Sequence, residues 1–271
     1  VQGRPVAFRE AGAGGAAPLV LLHGGGFDGA LPTWAATFPG LATGRRVILP
    51  DLPGYGGSAG FARTHTLADL AGWLGDFLDT LGIARADLCG VSMGAGAGLL
   101  LALERPDRVR RMIAAGSYGL MRRVRYHPLA AYAARRGWMR HLYAVGVRGG
   151  LPLRLALAAE WGGALRVPPA ALAEFQALAR EQRVKRSFDD FLAGEMSSAG
   201  LLSDLTPRLP DLAAPVLLVH GRHDRVVPVR YAEAAAPLLR DGRLRILPTG
   251  HWPMRSRPDL FLPLAEGFLG G

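Results

Sequence analysis

The chain has 271 residues, enough for one large domain or for one domain with a sizeable insertion. Its composition, 49% hydrophobic and 20% charged, is that of a globular protein and excludes a disordered chain, and no apolar run approaches the roughly 18 residues of a membrane-spanning helix. The formal net charge of +10 raises nucleic-acid binding, but Lys185 is the only lysine, no nucleic-acid motif accompanies the arginines, and the abundant Ala, Gly and Pro point to a coding bias.

A basic face would still attract an anionic substrate. The single cysteine, Cys89, excludes an intramolecular disulfide and fits a cytoplasmic, reducing setting. Residues 1–10 have polar and charged residues where an export signal needs an apolar stretch, so none is expected there.

In chain order, Leu19–Leu22 and residues 47–49 read as buried strands, each running into a Gly- or Pro-rich loop. Leu67, Leu70, Ala71, Leu74, Leu78 and Leu81 fall on one helix face, which predicts a helix over 67–81. Residues 88–91 follow as a strand, 95–104 as a helix of small residues, and Val109–Ala115 as another strand. Residues 118–205 break the alternation. They hold helical segments at 129–136, 151–160 and 170–183, punctuated by Pro128, Pro152, Pro168 and Pro169, and many arginines expected to form a solvated surface. The alternation then resumes, with strands at 216–220 and 244–247 and helices at 230–239 and 258–269. This pattern predicts an α/β fold with a mostly parallel sheet covered by helices on both faces. Residues 1–117 and 206–271 form its core, and 118–205 an inserted helical cap.

Gly90-Val91-Ser92-Met93-Gly94 matches Gly-x-Ser-x-Gly, with an apolar strand before it and a small-residue helix after it. Such a turn exposes the serine hydroxyl next to a helix N-terminus, which favours developing negative charge. A serine hydroxyl needs a base to remove its proton. His251, in Gly250-His251-Trp252 just after the final predicted strand, is the candidate. His23 belongs to another motif, His65, His127 and His141 lie in a loop or in the helical insertion, and His220 and His223 flank the expected acid. That acid is Asp224, at the end of the strand from Val216; the rival strand end, Ala115-Gly116-Ser117, carries no carboxylate. The catalytic set expected from sequence is therefore Ser92, Asp224 and His251.

His23-Gly24-Gly25-Gly26 follows the first buried strand, and a glycine run lets backbone N–H groups approach an oxyanion. Gly25, preferred over Gly26, and Met93 are the expected donors, while Gly26, Phe27 and Trp252 are candidate substrate contacts. Cys89 reads as buried packing. No metal-ligand spacing, phosphate-loop lysine or dinucleotide fingerprint is present, so neither metal nor cofactor is expected.

Together these residues resemble the α/β-hydrolase superfamily over nearly the whole chain, with Asp51-Leu52-Pro53-Gly54-Tyr55-Gly56-Gly57-Ser58 similar to a structural loop of that family. The combination of His23-Gly24-Gly25-Gly26, Ser92-Met93-Gly94 and Gly250-His251-Trp252 resembles the meta-cleavage-product hydrolases, which cut a carbon–carbon bond in vinylogous 1,5-diketones. The chain departs from that subfamily at Val91, where asparagine is common, and in lacking a clear counterpart of its cap arginine, although Arg180 and Arg183 lie nearby. Serine at the elbow separates it from haloalkane dehalogenases and epoxide hydrolases, which use aspartate there. The resemblance implies hydrolysis of an ester, lactone or thioester of a small to medium-sized, partly apolar molecule. Carbon–carbon hydrolysis, or a lyase or cyclase reaction on the same fold, is the alternative. Neither nucleic acid nor membrane is expected as a partner, and a homo-oligomer is left open.

Overall fold

In the computed structural model, which describes residues 1–270, the leucine- and valine-rich runs become the inner strands of one sheet. The chain opens with β1 (Phe8–Ala11), β2 (Leu19–Leu22), the short helices α1 (Ala30–Trp34) and α2 (Phe38–Leu41), β3 (Val47–Pro50) and α3 (Leu67–Thr80). The strand β4 (Ala86–Val91), the helix α4 (Ser92–Glu104) and β5 (Val109–Ala115) follow. A helical stretch comes next, with α5 (His127–Arg135), α6 (Met139–Val147), α7 (Gly150–Ala156), α8 (Ala158–Trp161), α9 (Pro169–Lys185) and α10 (Ser187–Glu195). The chain then returns to the sheet with β6 (Val216–Gly221), α11 (Arg230–Ala235), β7 (Gly242–Leu247), α12 (Pro253–Ser256) and α13 (Pro258–Gly270).

The seven strands are ordered β1-β3-β2-β4-β5-β6-β7, all parallel except β1, which runs antiparallel to β3. Every residue of β2, β3, β4 and β6 is buried. Strands covered on both faces need apolar side chains on both, which is why they read as continuous runs. The edge strand β1 gave no such signal. Its sequence Phe-Arg-Glu-Ala is mostly exposed, and Glu10 pairs with Arg46 at 2.7 Å. Charges of this kind keep an edge from pairing with another chain.

One face of the sheet packs on α3 and α4. The helix α3 starts with a capping box, Thr66 accepting from the Asp69 N–H while Asp69 accepts from the Thr66 N–H. The other face packs on α1 and α13, and its buried cluster continues through Trp252 into Trp161, Phe175 and Tyr143 of the helical stretch. The segment predicted as one helix over 151–160 is two, α7 and α8, which meet at Leu157. The helices α6 and α10 were not anticipated.

At the N-terminal end of β4, Asp87 is fully buried and accepts from Arg110 Nε at 2.8 Å and Nη2 at 2.5 Å, with Arg45 3.5 Å away. Arg110 keeps 32% of its side-chain exposure, so removing the acid strands a cation that water still reaches. Asp87→Ala is expected to lower the unfolding free energy by about 2 kcal/mol, less than the roughly 3–5 kcal/mol of a fully buried pair. It should leave the specific activity of the folded fraction unchanged; urea denaturation and a rate assay at low urea check both.

Candidate active site

The turn from β4 into α4 is set by packing. Val91 ends the strand in an extended conformation, and Ser92 then takes a left-handed one, with φ of 52°. For a residue with a Cβ this costs on the order of 1–3 kcal/mol and persists only where the surroundings enforce it. The motif glycines are part of that enforcement. A Cβ on Gly90 would stand 2.7 Å from Ala95 N, and one on Gly94 2.3 Å from the His23 carbonyl oxygen. Ser92 is half-buried, its hydroxyl makes no hydrogen bond among the described residues, and Met93 lies in the first turn of α4, where N–H groups lack helical acceptors.

The loops after β6 and β7 run side by side, tied by Arg222 N–H to Leu247 O at 2.8 Å and His223 N–H to Thr249 O at 2.9 Å. They bring together Asp224 and His251, residues 27 apart in sequence, with Asp224 Oδ2 and His251 Nδ1 2.7 Å from each other. Asp224 Oδ1 accepts from the Val226 and Val227 N–H groups at 2.9 Å each, and His220 Nε2 stands 3.3 Å from Oδ2. Burial raises the Asp224 carboxyl, but the opposing His251 charge and the hydrogen bonds from His220 and His251 outweigh it and hold the group well below the usual carboxylate range. For His251, burial disfavours the cation; the charge and hydrogen bond of Asp224 outweigh that and raise the imidazole, with lesser help from Glu160 and Asp28. Gly116 makes room for the pair, since a Cβ there would lie 2.9 Å from His251 Nδ1.

The glycine run after β2 is clamped from several sides. His23 is fully buried, with Nδ1 2.7 Å from Gly24 O and Nε2 accepting from the Leu52 N–H at 2.9 Å, so its role is to join two loops. Gly24 N–H donates to Asp28 Oδ2 at 2.8 Å and Gly26 N–H to the Tyr55 hydroxyl at 3.3 Å. The Gly25 N–H between them has no acceptor among the described residues. Phe188 of α10 lies against Gly25, its ring atoms 2.3 Å from where a Cβ would stand. Asp28 also accepts from Gly29 N–H, Thr33 Oγ1 and, at 3.2 Å, Trp252 Nε1.

Among the candidate substrate contacts, Gly26 is buried with its N–H engaged, and Phe27 is buried edge-on to Tyr143 at 5.1 Å. Trp252 sits between Trp161 at 4.9 Å and Phe175 at 5.3 Å. A cleft of about 530 Å³ opens beside Trp161, Gly250 and Arg255, and another of about 520 Å³ beside Asp224, Met121 and Tyr231; Ser92 lines neither. Among the described residues, no group of three or more His, Cys, Asp or Glu side chains is arranged to hold a metal ion.

Sequence reasoning missed Asp28, Gly116, His220 and Glu160. Glu160, in α8, accepts the His251 backbone N–H on its carbonyl oxygen at 2.6 Å. Its Oε2 is closed off from solvent and finds no hydrogen bond, and burial pushes its carboxyl up to about 7. Asp28 sits two residues beyond the glycine run and was visible as an acid in an apolar stretch. The other three become relevant only through tertiary proximity.

A family model described as "Alpha/beta hydrolase family" matches residues 19–264. The chain is 28% identical over 266 residues to 2-hydroxymuconate semialdehyde hydrolase of Pseudomonas putida, covering 93% of this chain and 86% of that protein. It is 30% identical over 281 residues to 2-hydroxy-6-oxo-6-phenylhexa-2,4-dienoate hydrolase of Burkholderia cepacia, covering 97% and 90% respectively. The enol-lactonase structure from Burkholderia xenovorans LB400 superposes with a TM-score of 0.78 at 25% identity, covering 100% of this chain and 98% of that one.

A raised His251 means that the folded state binds its proton more tightly than the unfolded chain does. Its contribution to stability is present below about pH 6.5 and lost as pH rises through the folded-state value. Histidine-resolved NMR titration of the folded protein is expected to place His251 above 6.5, and Asp224→Asn to bring it down. A His251 titration unmoved by Asp224→Asn would contradict this account of the pair.

Proposed function

The chain belongs to the alpha/beta hydrolase family, and from that premise we propose that it is a serine hydrolase acting through Ser92, His251 and Asp224. The observation that carries this reading is the strained Ser92 at the strand–helix turn, in a structure that also pairs Asp224 with His251 at 2.7 Å. In the proposed reaction His251 Nε2 removes the Ser92 proton as Oγ attacks the substrate carbonyl carbon. Asp224 holds Nδ1 protonated and stabilises the imidazolium. The N–H groups of Gly25 and Met93 receive the oxyanion. In favour of Gly25, its N–H is the one in the glycine run without another acceptor. His251 then protonates the leaving oxygen, and a water deprotonated by His251 releases the acyl group from Ser92.

Residues 118–205 serve in this reading as the cap. Support comes from Phe188 lying against Gly25 and from Glu160 and Trp161 packing on the His251 loop. The substrate is an ester or lactone of a partly apolar acid. Gly26, Phe27 and Trp252 border the site as elements that shape it, the Gly26 N–H and the Trp252 indole N–H being already paired.

Carbon–carbon hydrolysis is the second reading. It is favoured by the two relatives named above, whose names place them on dienoate and semialdehyde substrates. Val91 before the nucleophile and the want of a matching cap arginine weigh toward the ester or lactone.

Stopped-flow hydrolysis of p-nitrophenyl butyrate is expected to show a burst of one acyl group per chain. Ser92→Ala should abolish the burst and cost on the order of 10⁴–10⁶ in rate. Absence of turnover by the unmodified protein, together with cleavage of 2-hydroxy-6-oxo-6-phenylhexa-2,4-dienoate, would reverse the order of the two readings. Because the Glu160 charge favours the His251 cation, Glu160→Gln should also move the acid limb of the kcat/KM profile to lower pH. A limb that stays in place would leave Glu160 a packing residue.

A further inference from the structure

The outer surface of residues 122–166 differs in character from the rest of the molecule. The segment carries nine arginines against one acid, Glu160, whose carboxyl is buried, in a chain whose net charge is +10. None of these arginines forms an ion pair among the described residues. The same stretch supplies seven of the twelve large apolar side chains that face solvent.

The helix α5 shows how the two features combine. His127, Ala131 and Ala134 point inward at helical spacing. On the opposite side stand Leu129, 69% exposed, and Tyr132, 57% exposed, with Arg136 one turn further on. Arg125 lies over the Tyr126 ring at 4.7 Å and Arg136 over the Tyr132 ring at 5.1 Å, so cations and apolar surface are interleaved. Trp138 follows, 49% exposed, and α7 turns Leu151 and Leu155 outward while burying Leu153.

A helix with leucines and aromatics on its free face, flanked by unpaired arginines, is suited to an anionic interface with an apolar interior. A second copy of the chain would meet this face with like charge. A nucleic acid offers phosphates but nothing that would shelter Leu129, Leu151 and Leu155 from water. We propose that the outward face of α5 docks the protein on an anionic lipid bilayer, with its apolar side chains entering the headgroup boundary and its arginines pairing with lipid phosphates. The proposal departs from the sequence-based expectation of no membrane partner. Docking of this kind needs no spanning segment, and among the described residues no helix is long and apolar enough to be one.

The test is co-sedimentation of the full chain with vesicles of phosphatidylcholine alone and of phosphatidylcholine mixed equally with phosphatidylglycerol. The protein should pellet with the mixed vesicles only, and less as salt rises. Arg135→Glu/Arg136→Glu and Leu129→Ser/Tyr132→Ser should each weaken that association by about tenfold or more. Unchanged thermal unfolding by circular dichroism would show both variants folded. Failure to pellet with the mixed vesicles, full binding by either folded variant, or tighter binding to a DNA duplex than to the vesicles overturns the proposal.

Discussion

Asp224 is cut off from water, and a buried carboxylate stays ionised only where donors surround it. Much of the C-terminal half is arranged to provide them. Val226 and Val227 N–H groups serve one oxygen and His251 the other, with His220 Nε2, which bonds the Val227 carbonyl at 2.7 Å, standing 3.3 Å away. For those donors to converge, the loops after β6 and β7 must run together, and β5 must be followed by a residue without a side chain. Gly116 meets that need, and the backbone bonds from Arg222 and His223 hold the loops in place. The orientation of the imidazole is thus a product of the sheet order, because β5, β6 and β7 are neighbours.

A second acid does comparable work on the opposite side. Asp28 takes the Gly24 and Gly29 N–H groups and the Trp252 indole N–H, joining the loop after β2 to the residue following His251. Trp252 is in turn flanked by Trp161 and Phe175, so the glycine run, the histidine loop and the helical stretch share one aromatic cluster. The stretch from 118 to 205 forms a small cluster around Met121, Ala131 and Met196 that is shared with Val227, and its largest side chains are buried against the sheet layer.

The inner strands were legible because a strand covered on both faces needs apolar residues on both, and β2 and β3 are apolar throughout, as are the last four residues of β4 and of β5. The pairing of Asp224 with His251 was legible because parallel strands deliver their C-terminal ends to one edge, so two loops far apart in sequence had to meet. What escaped had weaker local signals. The charged strand β1 alternates nothing, and α6 places Arg140 and His141 beside Tyr143, so its apolar stripe is narrow. Glu160 looked like one acid in a long amphipathic segment. Only the break at Leu157 and the contact of α8 with Gly250 turn it toward His251.

The bond from the His251 backbone to the Glu160 carbonyl has a mechanical meaning. Any swing of α8 away from the sheet must first release the backbone that carries the imidazole. In the proposed reaction the outer helices and the base are therefore coupled like a door and its latch: α8 does not leave the sheet without losing a bond to the loop that carries the imidazole.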